Sequence, residues 1–340
     1  MTLLSPLIPS VIIPVHHFDA VFFRCLAALQ TLNPPASQII IVADGTDIPE
    51  VLKQQQMLQI LSTPTQSGPA AARNLGAQQA TGDLLVFFDA DVLVPPDILQ
   101  QFQVVFAQHP EIDAVIGSYD DKPGDAGFFS QYKNLFHHYT HQNANQEAAT
   151  FWGACGAIRK TAFLQIGGFD ESFRQPSIED IELGVRLTLQ GGRILLRKEI
   201  QVKHLKRWTL RSMTRVDIFQ RALPWTQLIL RQRSMQNDLN LRTASRWSTL
   251  LVYLLTGSLL LSPVVPIALI VAALSMTSLL LLNIPVQRFF YQKRGPLFAL
   301  ISIPVLWWYY FYSGLAFVIG VLQFYWNRQK AASVLFRKSP

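Results

Sequence analysis

Cysteine is scarce in this chain, because Cys25 and Cys155 are the only two in 340 residues. Two cysteines at this spacing build neither a disulfide framework nor a metal cluster. We interpret both as small buried apolar residues. The segment Met1–Ser10 also lacks the basic start of a secretory signal peptide and contains two prolines. We therefore expect the folded part of the chain to stay in the cytoplasm.

Charged residues are missing from two long stretches, residues 248–284 and 295–326. A membrane-spanning helix needs about 20 apolar residues. The first stretch is long enough for two helices, with a break at Ser262–Pro263 and Pro266, and the second fits one long, tilted helix. We predict about three hydrophobic helices in a membrane region over residues 247–326. A soluble helical domain is the less favoured alternative, and the number of crossings stays open.

Acidic residues are scarce between residues 193 and 246, where three stand against thirteen lysines and arginines. A basic stretch before a hydrophobic span fits the positive-inside rule and an anionic leaflet. Nucleic-acid binding is the rival interpretation, which the following hydrophobic segments disfavour. We predict four regions: a catalytic domain (1–210), a basic juxtamembrane helical segment (211–246), the membrane region and a basic tail (327–340).

Apolar strand-like runs alternate with helix-like segments in the first third of the chain. Such alternation with short links is typical of an α/β fold with a mostly parallel sheet flanked by helices. The predicted strands are residues 10–15, 38–43, 58–62, 84–88 and 113–119, and the predicted helices are 18–32, 49–56, 69–80 and 96–108.

Two carboxylates, Asp89 and Asp91, follow the buried strand predicted over residues 84–88. Open α/β sheets place ligand-binding groups at such strand ends. Two carboxylates there suit a hard divalent cation, Mg²⁺ or Mn²⁺, that also binds phosphate oxygens. The pair alone is a weak signal, because loop aspartates are common and usually solvated.

Asp44 and Arg73 are further candidates for ligand contacts. Asp44 ends the second predicted strand, where it could accept from a base or a ribose, or serve as a turn aspartate before Gly45. Arg73 lies early in a helix that begins at Pro69, where it could meet a phosphate or stand as an ordinary surface arginine.

Glu179 and Asp180 begin an amphipathic helix. Acids there either cap the helix or, for Asp180, act as a general base on an acceptor hydroxyl. His204 follows a strand-like run over residues 193–202 and could complete a metal site with Asp91, although a lone histidine is more often structural. Residues 124–147 are polar, rich in histidine and irregular. For them we favour a mobile acceptor-side segment over a metal site.

In this order the motifs resemble the family 2 glycosyltransferases, inverting enzymes of the GT-A fold. The resemblance covers about residues 8–206. A second acid usually stands where this chain has Ala43, and the Gln-x-x-Arg-Trp signature of the processive synthases is missing. The resembling segments are 12–15, 44–47, 68–76, 80–83, 88–91, 167–171, 179–180 and 204.

The resemblance implies a role for each candidate. It implies that Asp180 deprotonates the acceptor and that a divalent cation (Mg²⁺ or Mn²⁺) neutralises the leaving diphosphate. The loop at residues 151–156, with a stacking face at Trp152, would line the acceptor side. The implied donor-binding residues are Pro14, Val15, Asp44, Arg73 and Asp89; the metal ligands are Asp91 and His204; the acceptor side is Trp152, Gly153 and Glu179.

The implied donor is a UDP- or GDP-linked sugar, and the acceptor is a hydroxyl or phosphate, lipid-linked or on a glycan. The implied location is the cytoplasmic membrane, with the catalytic domain facing the cytoplasm and no nucleic-acid partner. A nucleotidyltransferase is one alternative, but it would need a glycine-rich, basic loop that Pro14–Phe18 does not provide. A catalytically silent membrane scaffold is the other, although such a protein would be expected to lose the carboxylates that this chain retains.

Overall fold

The chain folds into two compact units, residues 1–207 and residues 208–340. The computed structural model describes residues 7–55, 57–233 and 238–337. Parts of four predicted segments lie outside the described residues: residues 1–6 of the catalytic domain, Gln56 of the helix over 49–56, residues 234–237 of the basic segment and residues 338–340 of the tail. We refer to residues 1–207 as the sheet unit and to residues 208–340 as the helical unit.

The first half of the sheet unit follows the predicted alternation of strand and helix. Asp19 begins the first helix by accepting the backbone N–H groups of Val21 and Phe22 through Oδ1. Pro69 occupies the first turn of the third helix, where its missing N–H costs nothing. The elements are β1 (Pro9–Val15), α1 (Ala20–Leu29), β2 (Gln38–Asp44), α2 (Glu50–Lys53), β3 (Leu58–Thr63), α3 (Pro69–Gln79) and β4 (Leu84–Phe88).

The second half of the sheet unit contains elements that the sequence did not reveal. Four predicted elements are present: the helix over residues 96–108, the strand over 113–119, the helix that begins at Glu179 and the strand over 193–202. Short strands lie among them. The elements are β5 (Val92–Leu93), α4 (Ile98–Gln108), β6 (Ala114–Tyr119), α5 (Phe128–Asn143), β7 (Glu147–Ala148), β8 (Cys155–Arg159), α6 (Lys160–Gln165), α7 (Glu179–Leu189) and β9 (Ile194–His204).

The described strands form one mixed sheet in the order β3-β2-β1-β4-β8-β6-β9-β5, with β7 paired to β9. The pairs of β1 with β2, β1 with β4, β2 with β3, and β6 with β9 are parallel. Strand β8 runs antiparallel between β4 and β6. The prediction of a mostly parallel sheet flanked by helices is confirmed. Because β1, β2 and β4 are parallel neighbours, their carboxyl ends meet at one edge.

The prediction of an irregular segment over residues 124–147 is wrong. Most of it is α5, a helix of 16 residues. Its buried positions include Asn134, His138 and His141 as well as Tyr132 and Leu135. The inner face of the helix is therefore partly polar, and the apolar periodicity that normally marks a helix is hidden.

Within its described residues, the helical unit contains two helices that are long and apolar enough to cross a membrane, Thr243–Leu261 and Ile284–Gln329. A third apolar helix, Ala268–Leu282, has 15 residues and is shorter than a full span. Gly295, with φ of 84°, interrupts the last helix. The elements are α8 (Leu210–Arg215), a π-helical segment (Val216–Ala222), α9 (Leu223–Gln232), a 3₁₀ turn (Leu239–Leu241), α10 (Thr243–Leu261), α11 (Ala268–Leu282) and α12 (Ile284–Arg337).

Candidate active site

Arg73 joins two distant acids at the centre of the sheet unit. The residue is 4% exposed and lies on α3. Its Nη2 donates to Asp89 Oδ1 at 2.7 Å, and its Nη1 donates to Glu179 Oε1 at 2.9 Å. Burial opposes the charge, but Asp89 and Glu179 outweigh it and raise the pKa of Arg73. Both terminal nitrogens are therefore held by carboxylates at the end of β4 and at the start of α7.

Asp89 and Asp91 follow β4 but turn to different partners. Asp89 is held by Arg73, and burial raises its pKa despite that cation. Asp91 Oδ2 lies 3.4 Å from His204 Nε2. Burial alone would raise the pKa of Asp91, but His204, when it is protonated, brings that pKa below the ordinary value through its charge and its hydrogen bond. The strand end thus presents one carboxylate to an arginine and the other to an imidazole.

The short ladder between β5 and β9 explains how His204 reaches Asp91. Val92 pairs with His204 in this antiparallel ladder. The Leu205 N–H donates to the Asp91 carbonyl at 2.9 Å, which extends the pairing by one position. Residues more than a hundred positions apart therefore become neighbours through backbone hydrogen bonds.

Asp91 and His204 fit a divalent cation as a pair of ligands. Asp91 Oδ1 is buried and has no hydrogen-bond partner among the described residues, so one carboxylate oxygen remains available. Within residues 7–55, 57–233 and 238–337, no group of three or more His, Cys, Asp or Glu side chains could hold a metal. Two protein ligands suit Mg²⁺ or Mn²⁺, since these cations take further oxygens from water and phosphate. The histidines of α5 form no metal cluster by the same criterion.

Asp180 lies beside the Arg73 network and is fixed by backbone groups. Its Oδ2 accepts the Gly153 N–H at 3.1 Å, and its Oδ1 accepts the Ile181 N–H at 2.8 Å. Burial and the neighbouring charge of Glu179 raise the pKa of Asp180 to about 6. Asp180 is therefore a stronger base than an ordinary aspartate and remains ionised at neutral pH.

Gly153 packs against Arg73. A Cβ atom at Gly153 would lie 3.0 Å from Arg73 Cζ, closer than ordinary van der Waals contact. The neighbouring Trp152 is 9% exposed and packs edge-on against Tyr119 and His141, with ring centroids 4.7 and 4.9 Å apart. The indole is thus part of the wall of the site, and little of its face is open for stacking.

Asp44 organises the loop between β3 and α3. Its Oδ1 accepts from Thr63 Oγ1 at 2.9 Å and from the Ser67 N–H at 2.7 Å, and its Oδ2 accepts the Gly68 N–H at 2.9 Å. Gly68 has φ of 93°, which a residue with a side chain rarely adopts. The backbones of Pro14 and Val15 pair with Val42 and Ala43 beside Asp44. These residues share the sheet edge with the end of β4.

Two polar residues to which the sequence analysis assigned no role, Asn74 and Asn134, support the site. Asn74 donates through Nδ2 to the Phe169 carbonyl at 2.9 Å and accepts the Phe169 N–H at 2.9 Å, which ties α3 to the turn before α7. Asn134 contacts His204 Nδ1 through its Oδ1 at 2.6 Å. The role of Asn134 could not be predicted from the sequence, because an asparagine within a polar segment is usually exposed to solvent.

The fold agrees with the comparisons to known proteins. Residues 10–167 match the family model described as glycosyl transferase family 2, and residues 133–208 match the model described as the N-terminal domain of galactosyltransferase. Together with the topology of the sheet, these matches identify the sheet unit as a family 2 glycosyltransferase domain of the GT-A fold.

Among relatives, validoxylamine A glucosyltransferase of Streptomyces hygroscopicus subsp. limoneus is 26% identical over 217 residues, 54% of this chain and 48% of that protein. Polypeptide N-acetylgalactosaminyltransferase 8 of Drosophila melanogaster is 30% identical over 226 residues, 58% of this chain and 38% of that protein. The chain thus spans about half or less of the length of these curated relatives.

Two solved structures share the fold at low sequence identity. The mannosyltransferase PcManGT from Pyrobaculum calidifontis, in complex with GDP-Man and Mn²⁺, superposes with a TM-score of 0.55 at 16% identity, covering 95% of this chain and 88% of that one. GalNAc-T7 with UDP, GalNAc and Mn²⁺ gives a TM-score of 0.51 at 16% identity, covering 72% and 51%.

Proposed function

We propose that this chain transfers a sugar from a nucleoside diphosphate to an acceptor hydroxyl or phosphate, with inversion of the anomeric carbon. The observation that carries the proposal is Arg73, which gathers Asp89 and Glu179 within hydrogen-bond distance and so places Asp180 beside the end of β4. Acids from two distant parts of the chain, the end of β4 and the start of α7, thus lie together at the edge of the sheet. The family 2 match over residues 10–167 supports the same reaction.

Asp180 is the proposed general base. The acceptor oxygen attacks the anomeric carbon while its proton moves to Asp180, and the bond from that carbon to the diphosphate oxygen breaks. The nucleoside diphosphate leaves with the bonding electrons, so a single displacement inverts the carbon without a covalent intermediate on the enzyme. The Gly153 N–H fixes the orientation of the carboxylate during this step.

Asp91 and His204 are the proposed ligands of a divalent cation. When bound, Mg²⁺ or Mn²⁺ would neutralise the negative charge that develops on the leaving diphosphate. The unpartnered Asp91 Oδ1 and the facing His204 Nε2 support this assignment. Both solved structures named above contain Mn²⁺.

Pro14, Val15 and Asp44 are proposed to form the nucleotide end of the donor site, and Asp89 is proposed to contact the ribose or the sugar. Because Asp44 already accepts three hydrogen bonds, we assign it mainly to shaping the loop that faces the nucleotide. Arg73 is held by carboxylates on both sides, so we assign it to positioning Asp89 and Glu179 and not to binding phosphate. UDP and GDP sugars are the donors to test.

Trp152 and Gly153 are proposed to line the acceptor side, with Glu179 beneath them as a buried partner of Arg73. The helical unit supports a membrane-associated enzyme, since its long helices leave large apolar side chains such as Leu260 and Leu297 exposed by 76% and 69%. We therefore propose a lipid-linked or glycan acceptor, with the sheet unit on the cytoplasmic face of the cytoplasmic membrane.

The test uses the full chain in nanodiscs with a panel of UDP- and GDP-linked sugars and Mn²⁺. Release of the nucleoside diphosphate is measured with polyprenyl phosphate, with soluble sugars and with no acceptor. We expect one donor to support release, Asp91→Asn to reduce it, and Asp180→Asn to abolish transfer while the donor still raises the melting temperature. Equal rates with soluble and lipid acceptors would remove the lipid assignment, and no turnover with any donor would favour a silent scaffold. Pyrophosphate release from a nucleoside triphosphate and a sugar phosphate would favour a nucleotidyltransferase.

A further inference from the structure

We propose that Asn134 is a positioning residue that fixes the tautomer and orientation of His204, so that the Nε2 lone pair faces Asp91 and the cation between them. This inference rests on the proposed function, because it concerns how the cation site is prepared.

The orientation of the Asn134 amide is fixed by its own helix. Asn134 is 2% exposed on α5, and its Nδ2 donates to the Ser130 carbonyl one turn earlier at 2.9 Å. A carbonyl accepts only from the amide nitrogen, so the other arm of the amide must be the oxygen. That oxygen lies 2.6 Å from His204 Nδ1.

The tautomer of His204 follows from this contact. An amide oxygen cannot donate, so His204 Nδ1 carries a hydrogen and donates it. In the neutral ring the lone pair is then on Nε2, the atom that lies 3.4 Å from Asp91 Oδ2. A lone pair beside a carboxylate oxygen is unfavourable by itself, and a divalent cation bound by both atoms makes it favourable. Histidine ligands commonly donate their other ring nitrogen to such an acceptor.

Tyr119 fixes the plane of the same imidazole. Its ring stacks on His204 with a centroid distance of 4.2 Å and an interplanar angle of 10°. His204 is itself 5% exposed, so the ring is held on one face and at one nitrogen while Nε2 faces Asp91. His138 and His141, by contrast, direct Nδ1 to the backbone carbonyls of Tyr119 and Gly117. His204 has a carboxylate, that of Asp91, opposite its second nitrogen.

Three variants of the full chain test the assignment. Asn134→Leu removes the acceptor, and Asn134→Asp keeps an acceptor oxygen. Asn143→Leu is the matched control, because Asn143 makes the same donation on α5, from Nδ2 to the Tyr139 carbonyl at 2.7 Å, at an exposed position. Mn²⁺ binding is measured by electron paramagnetic resonance with UDP and with GDP, and the ¹⁵N shifts of His204 report its tautomer in metal-free protein.

We expect Asn134→Leu to weaken Mn²⁺ binding about 10- to 100-fold and to populate the tautomer with hydrogen on Nε2. Asn134→Asp should keep most of the affinity and the Nδ1–H tautomer, and Asn143→Leu should match the parent. If Asn134 served only packing, Asn134→Asp would be the more damaging change, because it buries a charge. An unchanged Mn²⁺ affinity and tautomer in Asn134→Leu would overturn the inference.

Failure of this inference is distinguishable from failure of the proposed function. Asp91→Asn and His204→Gln test the cation site itself. If neither variant changes Mn²⁺ binding, the cation does not bind at Asp91 and His204. Both the proposed cation site and the proposed role of Asn134 are then wrong. If both weaken binding while Asn134→Leu does not, only the role of Asn134 is wrong.

Discussion

Gly153 donates its backbone N–H to Asp180 Oδ2 at 3.1 Å, while its α-carbon faces the Arg73 guanidinium. Gly153 therefore contributes to the site both through its backbone amide and through the absence of a side chain. The amide orients the proposed base, Asp180. The absent Cβ leaves room for the Arg73 guanidinium, which holds Asp89 and Glu179. A single glycine thus couples the donor side of the site to the base.

Gly153→Ala is expected to lower kcat, because the new methyl group would displace either Arg73 or the loop that carries the amide. The contacts of 3.0 to 3.3 Å with Arg73 require a shift of a few tenths of an ångström, so the loss should be well below the about 100-fold that a displacement of about 1 Å can cost. The KM for the donor should change less, since the nucleotide end of the sheet is untouched. Steady-state kinetics with the identified donor measure the effect. Gly257→Ala is the control, because a Cβ at Gly257 meets nothing within 4 Å; an equal loss of rate in both variants would contradict the prediction.

The rate is expected to depend on the ionisation of Asp180. Its pKa is raised to about 6, mainly by burial. A general base acts in its ionised form, so kcat/KM should be level above that pH and fall about tenfold per unit as the pH drops below it. The profile is recorded on both sides of pH 6 at saturating Mn²⁺. A rate that rises as the pH falls would remove Asp180 from the role of base.

Arg73→Met is expected to destabilise the fold strongly. The change leaves Glu179, which is 5% exposed, as a buried carboxylate without its cation. Breaking a buried pair in this way costs about 3–5 kcal/mol. The free energy of unfolding of the full chain in detergent measures the loss, and the double variant Arg73→Met/Glu179→Gln should recover part of it.

Lys53→Met is the matched control for the buried pair. Lys53 and Glu50 also approach to 2.9 Å, but their side chains are 54% and 73% exposed. Exposed pairs contribute about 0–1 kcal/mol, so this variant should unfold like the parent. Equal losses in Arg73→Met and Lys53→Met would show that burial is not the deciding factor.

Asp44→Ala is expected to raise the KM for the donor more than it lowers kcat. The change leaves Thr63 Oγ1 and the N–H groups of Ser67 and Gly68 without their acceptor, each at a cost of about 1–3 kcal/mol where water cannot replace it. The loop that begins α3 should loosen, and the nucleotide should bind less tightly. Isothermal titration with UDP and GDP measures this, with the exposed Asp47→Ala as the control. Unchanged nucleotide binding would show that the nucleobase does not bind beside the loop held by Asp44.

The parallel half of the sheet could be predicted from the sequence, because each of its strands is a continuous apolar run that ends at a turn. The segment Val11–Val15 and the run Leu84–Phe88 are buried almost throughout, so local composition and final environment agree. Strand β8 could not be predicted, because Cys155–Arg159 is short, contains a glycine and gains its partners only from β4 and β6.

The acids of the site could be predicted from their positions at strand and helix ends, but their partners could not. Nothing near Arg73 in the sequence indicates that it lies between Asp89 and Glu179, because that contact depends on how α3 and α7 pack. The break between the first two apolar helices followed from Pro263 and Pro266, since proline rarely continues a helix. The short length of Ala268–Leu282 did not follow, because residues 248–284 contain no charged residue that would mark its ends.

The order of the site residues along the chain determines when each part of the site can form during synthesis. The family 2 match ends at residue 167, while Glu179, Asp180 and His204 come later, and His204 meets Asp91 only through the β5–β9 ladder. A nascent polypeptide that has emerged only as far as residue 167 contains the strands of the proposed nucleotide end of the site. It still lacks Asp180, the proposed base, and His204, the second proposed cation ligand. On this assignment the growing chain stays inert on the ribosome until its ninth strand is made, shortly before the first apolar helix emerges.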